Sequence, residues 1–360
     1  MTSLPTYQLA YLTSATATIR TKLPVPTPGP NEVLIANAAV AANPKDWKVP
    51  HWSYAPNEGY VEGSDVAGTI AAVGEGVTEF AIGQRVAAFP KMLTFENKWG
   101  AYQEYTVAPA ATTFPIPDKT AFEEASTIPL AGMTGALGLF VKLGIPAPGS
   151  AEVASNAGKA IILNGASTSV GAFTIQLAKR AGLYVVGVAG ASKALALELG
   201  ADIVVDYREH EDEASLIHAI VAATGGRPTP WAYDAISEGG SALMLARALA
   251  ELNNESPAKV TVLTPTPEAE KKQFPATVTD VLTYVGSSYT EDEEFAAPFY
   301  RQISRWLADE KEPFVPNRVT IMPNGLDDVA EGLALLLEKK VHGEKLVYRI
   351  KDTKSLKPRA

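Results

Sequence analysis

Residues 160–171 read AIILNGASTSVG, an apolar run, a turn of small residues and the start of a helix. A strand that feeds a tight turn into a helix N-terminus points backbone N–H groups outward, and such an array binds phosphate. Gly165, Thr168 and Gly171 keep the spacing of a G-x-G-x-x-G fingerprint whose middle glycine is replaced. In its place Ser167, Thr168 and Ser169 supply hydroxyls beside the amides, with Val170 opening the helix. The same residues also suit an ordinary strand–helix turn with Ser/Thr capping. The next strand sharpens the reading. Where an acid would accept from a ribose 2′-hydroxyl, the chain has VAGASK, so that Ser192 and Lys193 offer a hydroxyl and a cation suited to a 2′-phosphate. Turn and strand together favour NADPH as the ligand.

A phosphate turn of this kind must be held by a parallel sheet. From about residue 126 the chain alternates strands and helices: AIILNG, a helix from about Thr168 to Ala181 capped by Gly182, LYVVGVAG, the helix SKALALELG, and ADIVVDYR. Strand–helix repeats at this spacing predict a parallel sheet with right-handed crossovers, continued by strands at WAYDAI and KVTVLT. The first third is different, with short β-branched runs between Pro and Gly turns (PVPTPGPNEVLIANAAVAANP, EGSDVAGTIAAVGEGV, GQRVAAF, GAYQEYTVA), which predicts a β-rich, barrel-like domain. After about residue 290 Asn324 is placed to cap a helix with Asp327 and Asp328 in its first turn and Lys339 and Lys340 in its last. GEKLVYRI follows as a strand, and the last eight residues read as a tail.

Bulk composition narrows the chemistry. A net charge of −9 argues against a nucleic-acid surface. No apolar run reaches the roughly 18 residues a membrane span needs, and the start MTSLPTYQLAYL lacks a basic region before an apolar one. A cytoplasmic protein is therefore expected. There is no cysteine, so disulfides, thiol nucleophiles and cysteine-held zinc are excluded, and His51, His210, His218 and His342 are too scattered for a metal motif.

Taken in order, ANPKDWK, EGSDVAGTIAAVG, GQRV, GAYQEYTVA, IPLAGMTGALGLF, NGASTSVGAFTIQLAKRAG, ADIVVDYRE and HGEKLVYRI resemble the medium-chain dehydrogenase/reductase superfamily, in its zinc-free quinone/enoyl reductase branch. The Ser/Thr-rich turn is similar to that of fungal trans-acting enoyl reductases of the lovastatin-type and TOXD-like group. The resemblance implies an α/β protein made of a GroES-like β-rich catalytic domain (1–125 and 291–360) and a Rossmann doubly wound parallel sheet (126–290), with an active cleft between them. Zinc alcohol dehydrogenases of the superfamily carry a cysteine where Asn43 stands and Gly-His-Glu where Gly63, Ser64 and Asp65 stand, so a zinc-independent enzyme is implied.

Carried over motif by motif, Lys45, Asp46, Trp47 and Lys48 would lie at the nicotinamide end of the cofactor, and Ser167, Thr168, Ser169 and Val170 at the pyrophosphate. Ala191, Ser192, Lys193 and Tyr207 would surround the 2′-phosphate and adenosine. Leu263 and Thr264 would sit by the ribose or nicotinamide, with Val341 and His342 closing over the cofactor. Ala131, Gly132, Met133, Thr134, Gly135, Ala136, Leu137 and Gly138, with Leu282, Thr283, Tyr284, Val285 and Gly286, would line an acyl cleft, although helix 131–138 also suits interdomain packing. Lys48 and Tyr54 are the candidate catalytic residues. Tyr54 stands eleven positions after Asn43, where mitochondrial-type enoyl thioester reductases carry a proton-donating tyrosine; simple aromatic packing is the other reading. His51 reads as a surface loop residue. The implied activity is NADPH-dependent reduction of the C=C of an enoyl thioester, either free or carried on a polyketide synthase, by a monomer or homodimer. A reductase of small quinones or enones, or a non-catalytic NADPH-binding protein, would share the fold.

Overall fold

The computed structural model describes residues 4–254 and 256–354; of the tail expected from the sequence, 355–360 lie outside the described residues. The chain divides into two compact units, one of residues 1–130 with 286–360 and one of 131–285.

The first unit begins with β1 (Tyr7–Thr13), β2 (Thr18–Pro24), β3 (Glu32–Ala41), α1 (Pro44–Lys48), β4 (Tyr60–Val61), β5 (Val66–Val73), β6 (Arg85–Ala88), β7 (Tyr105–Pro109), β8 (Thr113–Pro115) and α2 (Phe122–Ala125). Helix α3 (Pro129–Ala136) leads into the second unit. There follow β9 (Ala160–Asn164), α4 (Ser169–Arg180), β10 (Tyr184–Ala189), α5 (Lys193–Glu198), β11 (Ile203–Asp206), α6 (Glu213–Ala223), β12 (Trp231–Asp234), α7 (Ser241–Asn253), β13 (Ala258–Val262), α8 (Glu268–Lys271) and β14 (Val278–Leu282). The chain returns to the first unit with α9 (Glu293–Ala308), β15 (Val319–Met322), α10 (Val329–Leu337) and β16 (Lys345–Arg349).

In the first unit β3 is the hub. Its ten residues pair antiparallel with β5, β7 and β16, and the sheet runs β15-β16-β3-β5-β6-β8. A second sheet, β2-β1-β4, stands beside it. The core gathers Leu9, Tyr11, Val33, Ile35, Val66, Ile70 and Tyr102 with Leu326, Val329 and Tyr348 from the returning segment. The C-terminal strand thus completes a core begun three hundred residues earlier. Asn324 does not cap the long helix expected after it. Its backbone N–H and side-chain amide donate to the Asp328 carboxylate (2.7 and 2.9 Å), which winds Gly325–Asp328 into a 3-10 turn and makes Asp328 the cap of α10.

In the second unit all six strands are parallel, in the order β11-β10-β9-β12-β13-β14. β9 is buried along its whole length, as a central strand covered on both faces must be. Gly182 (φ 82°) ends α4 in the left-handed region, which costs a glycine no Cβ clash. The strand order reverses between β9 and β12, and in open parallel sheets ligands bind outside the carboxyl ends of the strands at that reversal.

Candidate cofactor and active site

The turn after β9 closes on itself. The backbone N–H and the hydroxyl of Thr168 both donate to the Gly165 carbonyl (2.9 and 2.8 Å), and Thr168 Oγ1 accepts from the Gly171 N–H (3.0 Å). Thr168 is therefore the N-cap that shapes the turn. The Thr168 side chain thus takes the capping role the sequence also allowed, its hydroxyl proton given to Gly165. Ser167, Ser169 and Val170 are left half-buried at the head of the twelve-residue α4. Gly171 cannot be anything larger: a Cβ there would meet the Gly165 carbonyl oxygen at 2.1 Å. The glycine that lets helix and strand approach is thus retained, and the open helix end suits a diphosphate.

Residues that the sequence reading passed over hold the switch point. Asn164, ending β9, donates to Asp234, ending β12 (2.9 Å, buried). Asp234 accepts from the backbone of Ile236 and Ser237 (3.1 and 3.0 Å) and from Ser241 Oγ (2.6 Å). Ser237 is bent into the left-handed region (φ 53°) and stitches in the next loop: its Oγ accepts from Leu263 N–H and its carbonyl from Thr264 Oγ1, both at 2.8 Å. Leu263 and Thr264 are thereby fixed to the reversal. A cavity of about 200 Å³ opens there, lined by Ser237, Gly239, Ser241, Thr264 and Thr266.

At the end of β10 the Tyr207 ring crosses Gly190, which precedes Ala191, Ser192 and Lys193, so closely that a Cβ there would meet its hydroxyl at 2.8 Å. Lys193 carries two acids from the next strand and its turn, Glu209 at 2.7 Å and Asp206 at 3.2 Å. The hydrogen bond to Glu209, then that to Asp206, raises the lysine above its usual range. Arg208 grips Asp206 with two parallel bonds (2.9 and 2.7 Å) and holds that carboxyl well below the usual carboxylate range. The sequence signal for Asp206, Arg208 and Glu209 was the run DYRE, which needed the fold to bring it to VAGASK.

Of the expected acyl wall, Ala131, Gly132, Met133, Thr134, Gly135, Ala136, Leu137 and Gly138 are all buried. Within the second unit Gly135 packs on Thr174 and Gly138 on Tyr233, where an added Cβ would meet atoms at 2.9 and 2.3 Å, and Tyr233 donates to the Thr134 carbonyl (2.8 Å). Beyond Ala136 the helix widens into a π-turn over Leu137–Lys142, a form common at functional positions. Thr283 is buried against Thr261 (2.6 Å) and Val285 is buried, whereas Leu282 and Tyr284 are exposed.

In the first unit α1 is the head of a buried polar network. Asp46 accepts from the Asn43 N–H (2.8 Å) and the Tyr102 hydroxyl (2.7 Å), and Lys45 lies on Asp46 (2.8 Å) and on Glu62. Burial lowers the Lys45 ammonium, yet Asp46 and Glu62 outweigh it and leave it above the usual lysine range. Burial drives Glu62 above the usual carboxylate range, against the pull of Lys45. Lys45 and Asp46 are thus committed to each other, while Lys48 lies over the Trp47 ring (5.6 Å to the centroid). The buried polar atoms without a hydrogen-bond partner among the described residues include Trp47 Nε1 and Ser64 Oγ, and Ser64 borders a cavity of about 10 Å³, about the room of one water.

Asn43 and Asp65 turn toward a lysine. Lys345 Nζ donates to Asp65 (2.6 Å), to Asn43 Oδ1 (3.0 Å) and to the Thr127 carbonyl (3.3 Å), with 3% of the residue exposed. Tyr54 is 62% exposed and packs against Trp52 and Phe95. His51 is exposed, a ring nitrogen 2.8 Å from the Trp47 carbonyl. Val341 packs on the first-unit core and His342 is exposed.

Two family profiles match in order: the alcohol dehydrogenase GroES-like domain over residues 29–118 and the zinc-binding dehydrogenase over 169–302. A trans-enoyl reductase of Aspergillus niger is 34% identical over 350 residues, covering 91% of this chain and 92% of its own. Another, of Gibberella fujikuroi, is 33% identical over 292 residues, covering 79% and 82%. Among solved structures, a mycobacterial protein complexed with NADPH superposes with a TM-score of 0.75 at 23% identity, covering 95% of this chain and 99% of its own. A nucleotide-type switch point in one unit, a GroES-like sheet in the other and identity of this extent across both place the chain in the fungal trans-enoyl reductase family of medium-chain dehydrogenase/reductases, and make it an oxidoreductase.

Proposed function

We propose that the protein uses NADPH to reduce the α,β-double bond of an enoyl thioester, presented on the carrier of a polyketide synthase in the cytoplasm. The observation that carries this reading is the similarity to trans-enoyl reductases over nearly the whole chain. The NADPH preference is supported by two cations that meet at Asp206, Lys193 from the segment after β10 and Arg208 from the turn after β11, and by the NADPH in the mycobacterial relative by fold.

Bound NADPH supplies the hydride that adds to Cβ. The residues of this chain bind and orient. The amides at the head of α4 receive the diphosphate, aided by the positive end of the helix dipole. Ser192, Lys193 and Arg208 take the 2′-phosphate. Leu263 and Thr264, braced by Ser237, hold the nicotinamide side. Addition at Cβ moves charge to the thioester oxygen, and a nearby cation or N–H lowers that cost. Lys48 is the candidate for this on α1, and Tyr54 or water delivers the proton to Cα. The reaction needs orientation and charge stabilisation, and no metal or thiol.

The test is NADPH oxidation at 340 nm by purified protein. Crotonyl-type or longer enoyl thioesters should turn over, faster on a carrier protein than as small thioesters. Oxidation of simple alcohols with NADP, or a quinone preferred over every enoyl thioester offered, would overturn the reading.

A further inference from the structure

Among the described residues Lys345 and Asp65 form the most deeply buried ion pair of the first unit, and each makes bonds beyond the pair. Asp65 Oδ1 accepts from the Leu130 N–H (2.7 Å), so this carboxylate from the segment before β5 caps the first turn of α3. Asp65 Oδ2 accepts from Asn43 Nδ2 (2.8 Å), and Asn43 Oδ1 accepts from Lys345 (3.0 Å). Asn43 is the residue from which α1 starts, tied by its N–H to Asp46. The lysine's third bond goes to Thr127, two residues before α3. Four segments far apart in sequence therefore meet at one ammonium and one carboxylate: the start of α1, the approach to β5, the first turn of α3 and the head of β16.

A buried pair is a poor source of stability, because desolvation offsets the attraction and an apolar pair of similar size often does as well. What an apolar pair cannot reproduce is the direction of these bonds. Besides the bond they share, Lys345 reaches Asn43 and Thr127 and Asp65 reaches Asn43 and Leu130, groups at or just before the starts of α1 and α3.

We propose that Lys345 and Asp65 are positioning residues for the reduction, fixing the start of α1, which bears Lys48, against the first turn of α3. The proposal rests on the reading that α1 serves the reacting centre. The pair acts through other residues and need not touch substrate.

The test compares Lys345→Met, Asp65→Asn and the double variant in the full chain. Lys345→Met leaves a buried carboxylate without its cation and will lower the melting temperature, or prevent folding. The double variant removes both charges and keeps an oxygen to accept from Leu130, so it should fold. Its expected behaviour is near wild-type melting with kcat for crotonyl thioester down at least tenfold, the NADPH Kd within twofold, and faster amide exchange confined to α1 and the first turn of α3. Wild-type kcat and exchange in a folded double variant would show the pair to be packing alone and overturn the proposal. Should wild-type protein fail to reduce any enoyl thioester, the proposed function fails; localised exchange in the double variant still supports the positioning role, and unchanged exchange refutes it.

Discussion

In the proposed reading cofactor choice turns on Lys193, and its acids make the expectation sharper. Its pairing with Glu209 is an exposed ion pair that water and salt weaken, so a 2′-phosphate can displace it at little cost. Asp206, by contrast, is tied to Arg208 by two bonds and stays as the anchor of that second cation. NADPH should bind at least tenfold more tightly than NADH, about 1.4 kcal/mol. Titration by fluorescence should show Lys193→Ala and Arg208→Ala weakening NADPH and leaving NADH nearly unchanged, while Glu209→Gln strengthens NADPH a few-fold by removing the competitor. Equal loss of both cofactors in Lys193→Ala would remove Lys193 from the phosphate site.

At the scale of elements, the α3 segment and its π-turn are set by close approach. Gly138 faces the Tyr233 ring, which is buried and held by its bond to Thr134, so neither ring nor helix can retreat. Gly138→Ala should cost about 1–3 kcal/mol by overpacking, read as a lower urea midpoint with unchanged m. Gly135→Ala meets a hydroxyl, Thr174 Oγ1, at 2.9 Å and should cost less. Equal effects at the two positions would show that Tyr233 yields. The glycine pattern LAGMTGALG was visible in the sequence, as was the strand–turn–helix at Gly165. Their partners were not. Tyr233 lies ninety-nine residues from Thr134, and no local periodicity pairs them.

For the whole molecule, the absence of cysteine and the lysine at Asn43 and Asp65 carry one further expectation. Purified protein should hold no stoichiometric zinc, and activity should survive chelators; one zinc per chain by elemental analysis would contradict it. The composition, the two textures of the chain and the ordered motifs determined a β-rich unit and a parallel nucleotide-type sheet, because strand alternation, helix caps and turn glycines are set by neighbours a few residues apart. They also determined the strand–turn–helix at Gly165, though not that Thr168 would use its protons inside it. Only the tertiary structure decided the charge around Lys193, since Asp206, Arg208 and Glu209 arrive on the next strand. Only it decided that Lys345, 302 residues from Asn43, closes the polar core of the first unit. A charged side chain shows in sequence what it can bond to; which groups it meets, and whether water is excluded around them, depends on a core that exists only once both ends of the chain have come together.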